Sequence, residues 1–298
     1  MLKNMRNSIS LILILVLFFS CGKSIKQNKE LTDSIFEFTD YYNRTVKVNI
    51  SPKTVISLSP GITEILFDLG VGNRLIGRTN FCNYPTEAKN IASIGGITDA
   101  NLEKIISLRP EIVITSSMVR KDLVENISKA GINIICLPER SNIEGVFRTL
   151  DILGQIFDKK EISDSLINNM KKELENIKQL HNNNSTKPSI YYVVGYGATG
   201  DFTAGKNTYI NEIIELAGGI NIANNISNWS YSKEALFAKQ PDYIIVREED
   251  LNNFIKTSPY KDLKAVKTGK VLGINSSLMD CQTCRSLEAI KKIAEFIN

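Results

Sequence analysis

One stretch of this chain is written twice. Residues 103–114 read EKIISLRPEIVI and residues 234–245 read EALFAKQPDYII. In both, a Glu stands seven residues before a Pro, an acid follows the Pro, and a β-rich run comes next. Asn101 and Ser232, two residues ahead of each Glu, are placed to cap a helix start. Proline cannot continue a helix, so Pro110 and Pro241 close it and the strand follows. A shared helix–Pro–strand unit predicts two similar lobes.

The rest of the chain fits that plan. Val55–Leu58 reads as a short buried strand, Ser59-Pro60-Gly61 turns it into a helix near Ile62, and Gly70 and Gly72 close that helix. Strands are expected at Leu75–Gly77, Ile112–Ile114, Ile132–Ile135 and Ile190–Val194, separated by helices, which is the rhythm of parallel βαβ units. Between the halves, Ile162, Leu166, Met170, Leu174 and Ile177 recur at helical spacing among charged residues. This predicts one amphipathic rod ended by Asn182–Ser185. The fold class is therefore α/β: two Rossmann-like lobes with mostly parallel sheets joined by one long interlobe helix. The expected boundaries are 1–20, 21–43, 44–157 for the first lobe, 158–183 for the rod and 184–298 for the second lobe.

The N-terminus speaks to compartment. Lys3 and Arg6 precede a run from Ile9 to Phe19 that is apolar except for Ser10, too short to span a bilayer but suited to a secretory signal. Phe18-Phe19-Ser20-Cys21 resembles a bacterial lipobox, with Phe18 where Leu is usual, and predicts cleavage after residue 20 and lipidation of Cys21. Residues 21–43 then hold a polar tether and an N-terminal segment. The expectation is an exported, membrane-anchored lipoprotein, periplasmic or on the outer cell surface. Losing residues 1–20 removes two basic residues and no acid, so the net charge falls from +4 to +2. That near balance gives no reason to expect a nucleic-acid partner.

Histidine and cysteine narrow the chemistry. His181 is the only histidine, at the rod's end, where a basic residue suits the helix dipole. One histidine cannot build the multi-histidine zinc or manganese sites of metal-ion binders, so no protein-held metal is expected. Outside the cytoplasm, Cys281-Gln-Thr-Cys284 reads most simply as a local disulfide, and a bridge from Cys82 to one of them is the alternative. The sequence leaves the pairing open. Cys136 ends a strand and reads as buried.

These stretches also resemble a known family. The run from Val55 to Gly70, the Asn83-Tyr84-Pro85 turn, Asn101–Pro110, Phe202–Lys206, Glu215–Asn221 and Ser232–Ile245 stand in the order seen in class III periplasmic solute-binding proteins. Those proteins serve vitamin B12, ferric siderophore and haem ABC importers. The resemblance implies a helical-backbone metal-chelate binding fold, with ligand held between the lobes and little hinge motion. It implies no catalysis, no intrinsic cofactor, and a cargo that is an iron chelate, haem or a corrinoid. Its implied partners are the permease subunits with their ATPase, met by a monomer.

By the same resemblance, Glu103 and Glu234 dock on permease arginines, one acid per lobe. Such a carboxylate at a helix start suits bidentate pairing with Arg. Trp229, the only tryptophan, follows the polar loop 224–228 and is expected over a flat ligand face. Phe81, Tyr84, Tyr196 and Phe202 are expected on the cleft rim, and Arg247 or Arg78 facing ligand carboxylates. Vitamin B12 binders carry further tryptophans where this chain has Ile97 and Ser116, which favours a ferric siderophore or haem over cobalamin. Tyr84 and Tyr196 are the tyrosines available as a haem-iron ligand. The competing readings are a chelatase-like enzyme, for which no nucleophile elbow or phosphate loop is found, and a ligand sensor or adhesin on the same scaffold.

Overall fold

A computed structural model describes residues 35–138, 142–181 and 186–298. The expected signal sequence, Cys21, most of the tether, the 182–185 turn and the His181 side chain lie outside these residues.

The chain begins with an antiparallel hairpin, β1 (Ile35–Thr39) against β2 (Thr45–Asn49). Its turn is built on Asp40, buried, which accepts from the backbone N–H of Tyr42 and Arg44 and from the Arg44 guanidinium. Part of the expected tether segment is thus structured: Tyr41 N–H bonds to Cys136 O and ties the hairpin to the edge of the first lobe.

That lobe runs β3 (Val55–Ser57), α1 (Pro60–Asp68), β4 (Leu75–Arg78), α2 (Leu102–Leu108), β5 (Ile112–Ser116), α3 (Lys121–Lys129), β6 (Ile134–Leu137) and α4 (Ile143–Ile156). The long helix α5 (Lys160–His181) follows. The second lobe runs β7 (Ser189–Val193), α6 (Tyr209–Leu216), β8 (Ile220–Asn221), α7 (Lys233–Lys239), β9 (Tyr243–Arg247), α8 (Leu251–Phe254), α9 (Lys264–Lys267), β10 (Val271–Ile274), α10 (Ser276–Asp280) and α11 (Ser286–Ile297).

The sheets are separate and wholly parallel, ordered β4-β3-β5-β6 and β8-β7-β9-β10. Each lobe therefore places its strands second, first, third, fourth. The doubled motif lies at the same point in both. Asn101 caps α2 by accepting from Lys104 N at 2.8 Å, and Ser232 caps α7 by accepting from Ala235 N at 3.1 Å. Arg109 (φ 48°) and Gln240 (φ 46°) end these helices in the left-handed region immediately before Pro110 and Pro241. The acid after each proline then holds the start of the adjacent strand. Glu111 accepts from Lys53 N at 2.8 Å and Asp242 from Ser189 N at 2.9 Å.

The rod is about 33 Å long at 1.5 Å per residue. It packs on α4 of the first lobe and on α6 and α11 of the second. Met170 and Ile177 are buried as their spacing requires, but Ile162 is exposed and Ser163 is buried in its place. The cause is close approach to α4. A Cβ on Gly154 would stand 2.3 Å from Ser163 Oγ, so the two helices meet through their smallest side chains. One hydrophobic core, including Ile65, Leu66, Leu153, Met170, Ile213, Leu278 and Ile293, runs through both lobes and the rod. Strand β6 begins two residues later than its pattern suggests, because the helix before it closes on Gly131 (φ 79°).

Candidate functional site

The loops leaving the carboxyl ends of the strands in both lobes enclose a cleft of about 860 Å³. This is where parallel sheets leave crevices, and the size suits a small-molecule ligand. The first lobe contributes Ser59–Ile62 and Glu64 from the start of α1, Phe81, Asn83 and Tyr84 from the loop after β4, Ile97, and Ser116 and Met118 after β5. The second contributes Trp229, Arg247 at the end of β9, and residues 275–277, 280–282 and Arg285 after β10.

Four of the expected contact residues meet here. Phe81 and Tyr84 are exposed on the first lobe's rim, Trp229 is 49% exposed on the second lobe, and Arg247 lines the wall. Trp229 stands on a backbone strip: Thr203 N–H donates to Trp229 O at 2.8 Å and Tyr231 N–H to Asp201 O at 3.0 Å. Ile97 and Ser116 line the cavity too, so the loss of bulk at those two places is a property of the ligand space itself.

Two expected rim aromatics are not part of the lining. Tyr196 turns its ring edge-on to Phe254 and Tyr260, with centroids 5.1 and 5.5 Å away, and is partly buried in the second lobe's smaller core. Phe202 forms the bridges that carry the Trp229 strip, with its ring over Gly195 and Gly200. Arg78 also leaves the ligand set. Its guanidinium donates to the carbonyls of Ala88, Thr79 and Lys89, which fixes the loop bearing Phe81 and Tyr84.

The floor holds polar residues that the sequence reading passed over. Glu64, 4% exposed in α1, accepts from Thr283 Oγ1 at 3.0 Å and from Arg285 Nη1 at 3.3 Å, joining the lobes. Burial pushes its carboxyl above the ordinary range, outweighing Arg285 and Thr283. Arg285 also lies over the Tyr84 ring, 3.6 Å from the centroid. Arg247 Nη2 pairs with Asp280 Oδ2 at 3.5 Å on the more open side of the cleft, where the Asp280 side chain is 43% exposed; loss of part of its water raises the carboxyl against the pull of Arg247. A further interlobe bond runs from Ile143 N–H, at the start of α4, to Glu212 in α6. The signal for Glu64 was present: an acid inside the apolar run Ile62–Leu66 needs a buried partner.

Cys82, Cys281 and Cys284 are free thiols, so the expected Cys281–Cys284 bridge is not formed. Burial pushes the Cys281 and Cys284 thiols up to about 12, which keeps them protonated and unreactive, and Cys284 hydrogen-bonds Asp68. Cys136 is buried in β6. Among the described residues, no group of three His, Cys, Asp or Glu side chains is placed to hold a metal ion, and no helix is long and apolar enough to cross a membrane.

Glu103 and Glu234 are exposed in the first turns of α2 and α7 and form no ion pair among the described residues. Each helix starts where the chain leaves the cleft: Ile97 lines it shortly before Asn101, and Trp229 shortly before Ser232.

Residues 55–278 match the family model described as periplasmic binding protein. The chain belongs to that family. The assignment explains the twin lobes and the cleft, and makes this a binding protein rather than an enzyme. Among curated relatives, this periplasmic binding protein is 26% identical to the uncharacterized ABC transporter substrate-binding lipoprotein YvrC of Bacillus subtilis, over 97% of this chain and 95% of the relative. It is also 26% identical to a vitamin B12-binding protein of Vibrio campbellii, over 81% of this chain and 88% of that protein. Its fold is that of the periplasmic haem-binding protein RhuT from Roseiflexus sp. RS-1, with TM-score 0.76, 22% identity, and coverage of 83% of this chain and 98% of that one.

Proposed function

We propose that this chain is the extracytoplasmic substrate-binding lipoprotein of an ABC importer, and that it captures a metal chelate between its lobes. The carrying observation is the cleft, walled by Phe81, Tyr84 and Trp229 from opposite lobes, with one exposed acid per lobe, Glu103 and Glu234, just outside it. Aromatic planes on facing walls suit a flat or compact chelate, because they bury area at little rotamer cost. The cargo is a ferric siderophore, haem or a corrinoid. The name of the Vibrio campbellii relative lends weight to the corrinoid, while Ile97 and Ser116 leave that wall without tryptophan. For haem, Tyr84 is the better-placed iron ligand of the two tyrosines, since Tyr196 is held in the second lobe's core. Docking on the permease runs through Glu103 and Glu234, and Cys21 carries the lipid.

The test is titration of the protein with haem, cobalamin, and hydroxamate and catecholate iron chelates, read by quenching of Trp229 and by calorimetry. Saturable binding of one class supports the reading. No binding of any of them would refute it.

A further inference from the structure

The charged groups of the cleft cancel locally. Among the described residues, only Glu64, Arg247, Asp280 and Arg285 carry charge in the lining, and no lysine or histidine joins them. Each arginine faces its own acid: Arg285 reaches Glu64 at 3.3 Å and Arg247 reaches Asp280 at 3.5 Å. Arg285 is further held by the Tyr84 ring. The other polar side chains lining the space are neutral: amides such as Asn83 and Gln282, and hydroxyls such as Ser116 and Thr149, which can both donate and accept.

From this we infer that the cleft selects a chelate with no ionised carboxylates or catecholates at its inner rim. The ligand class is a neutral or cationic complex edged by amides or hydroxamates, and Glu64 and Asp280 set the preference by offsetting the charge of the two arginines. The inference rests on the chelate-binding reading above and narrows it.

The physical reason is competition. An anionic group entering this space meets the acid of each pair beside its arginine, 3.3 and 3.5 Å away, so the repulsion of one offsets the attraction of the other while the anion still loses its water. A neutral carbonyl or amide needs one hydrogen bond and disturbs neither pair. Glu64 is 4% exposed, so a third negative group beside it would add repulsion where charge is poorly solvated.

Matched probes that differ in charge but not in metal test this on the full chain. The first pair is a neutral ferric trihydroxamate and an anionic ferric tricatecholate. The second is a corrinoid with its side-chain amides intact and the same corrinoid with amides hydrolysed to carboxylates. In wild type, the uncharged member of at least one pair should bind more tightly by about tenfold or more. Asp280→Asn releases Arg247 and should shrink that ratio by about fivefold or more, chiefly by improving the anionic probe. Glu64→Gln, checked for folding by circular dichroism, should act in the same direction. Equal or tighter binding of the anionic members in wild type overturns the inference while leaving the chelate reading standing. An unchanged ratio in both variants, in folded protein, also overturns it. Failure of all four probes to bind removes the chelate reading and the inference with it.

Discussion

The guanidinium of Arg285, from the second lobe, lies over the ring of Tyr84 from the first, 3.6 Å from its centroid, while Nη1 reaches Glu64 at 3.3 Å. One side chain thus ties the cleft floor to its rim. Removing it strands a buried carboxylate, so Arg285→Ala should lower unfolding free energy by about 3 kcal/mol. Glu64→Gln keeps the Thr283 bond and leaves an exposable cation, and should cost about 1 kcal/mol. Urea titration of both, and of the double variant, checks this; the double variant should cost less than the two added together.

The same carboxylate gives a pH signature. Burial lifts Glu64 above its ordinary value of 4.5, so as pH falls the folded chain takes up this proton before the unfolded chain does. Its titration therefore favours the folded state at acid pH, and that advantage fades as pH rises through the folded value. As pH falls from neutral to the ordinary value of 4.5, the melting temperature of wild type should move upward relative to Glu64→Gln. A constant difference between the two across that range would count against the assigned shift.

Trp229 is half-exposed and held by its backbone rather than its ring. Trp229→Phe should change stability by no more than about 0.5 kcal/mol. Trp229→Ala should weaken chelate binding by about 2 kcal/mol, read by calorimetry because the fluorophore is gone. Tyr196→Ala should behave in the opposite way, losing stability by about 3 kcal/mol with cargo affinity changed less than about threefold.

Glu103 and Glu234 touch neither the cleft nor any cation in the described structure. Glu103→Lys and Glu234→Lys should each leave chelate affinity within about twofold of wild type while reducing cell uptake, and the double reversal should reduce it by about tenfold or more. Normal uptake by the double variant would direct attention to a sensor or adhesin role.

Much of this architecture was legible in the chain because it depends on short-range chemistry. Asn101, Pro110, Ser232 and Pro241 announce helix starts and stops by their own backbone preferences, and the repeat they form exposed the two-lobe plan. Trp229 and Tyr84 could be placed through the family resemblance, which sets them on loops bordering the cleft. The polar floor was harder. Arg285 and Glu64 lie 221 positions apart, and nothing local in either foretells the pairing. Tyr196 and Phe202 sit on a loop of the right kind, but which way a ring turns is decided by whether Phe254 and Tyr260 offer it a place to pack.

The core shared by both lobes and the 22-residue helix has a mechanical consequence. A trap that springs shut needs a slack joint, and the described residues show none: parting the halves would tear open a continuous apolar interior. Empty and loaded forms should therefore present nearly the same outline in solution scattering. Whatever tells the two states apart must sense movement in the mouth itself, and on the second lobe the segment bearing Trp229 runs within five residues into Glu234.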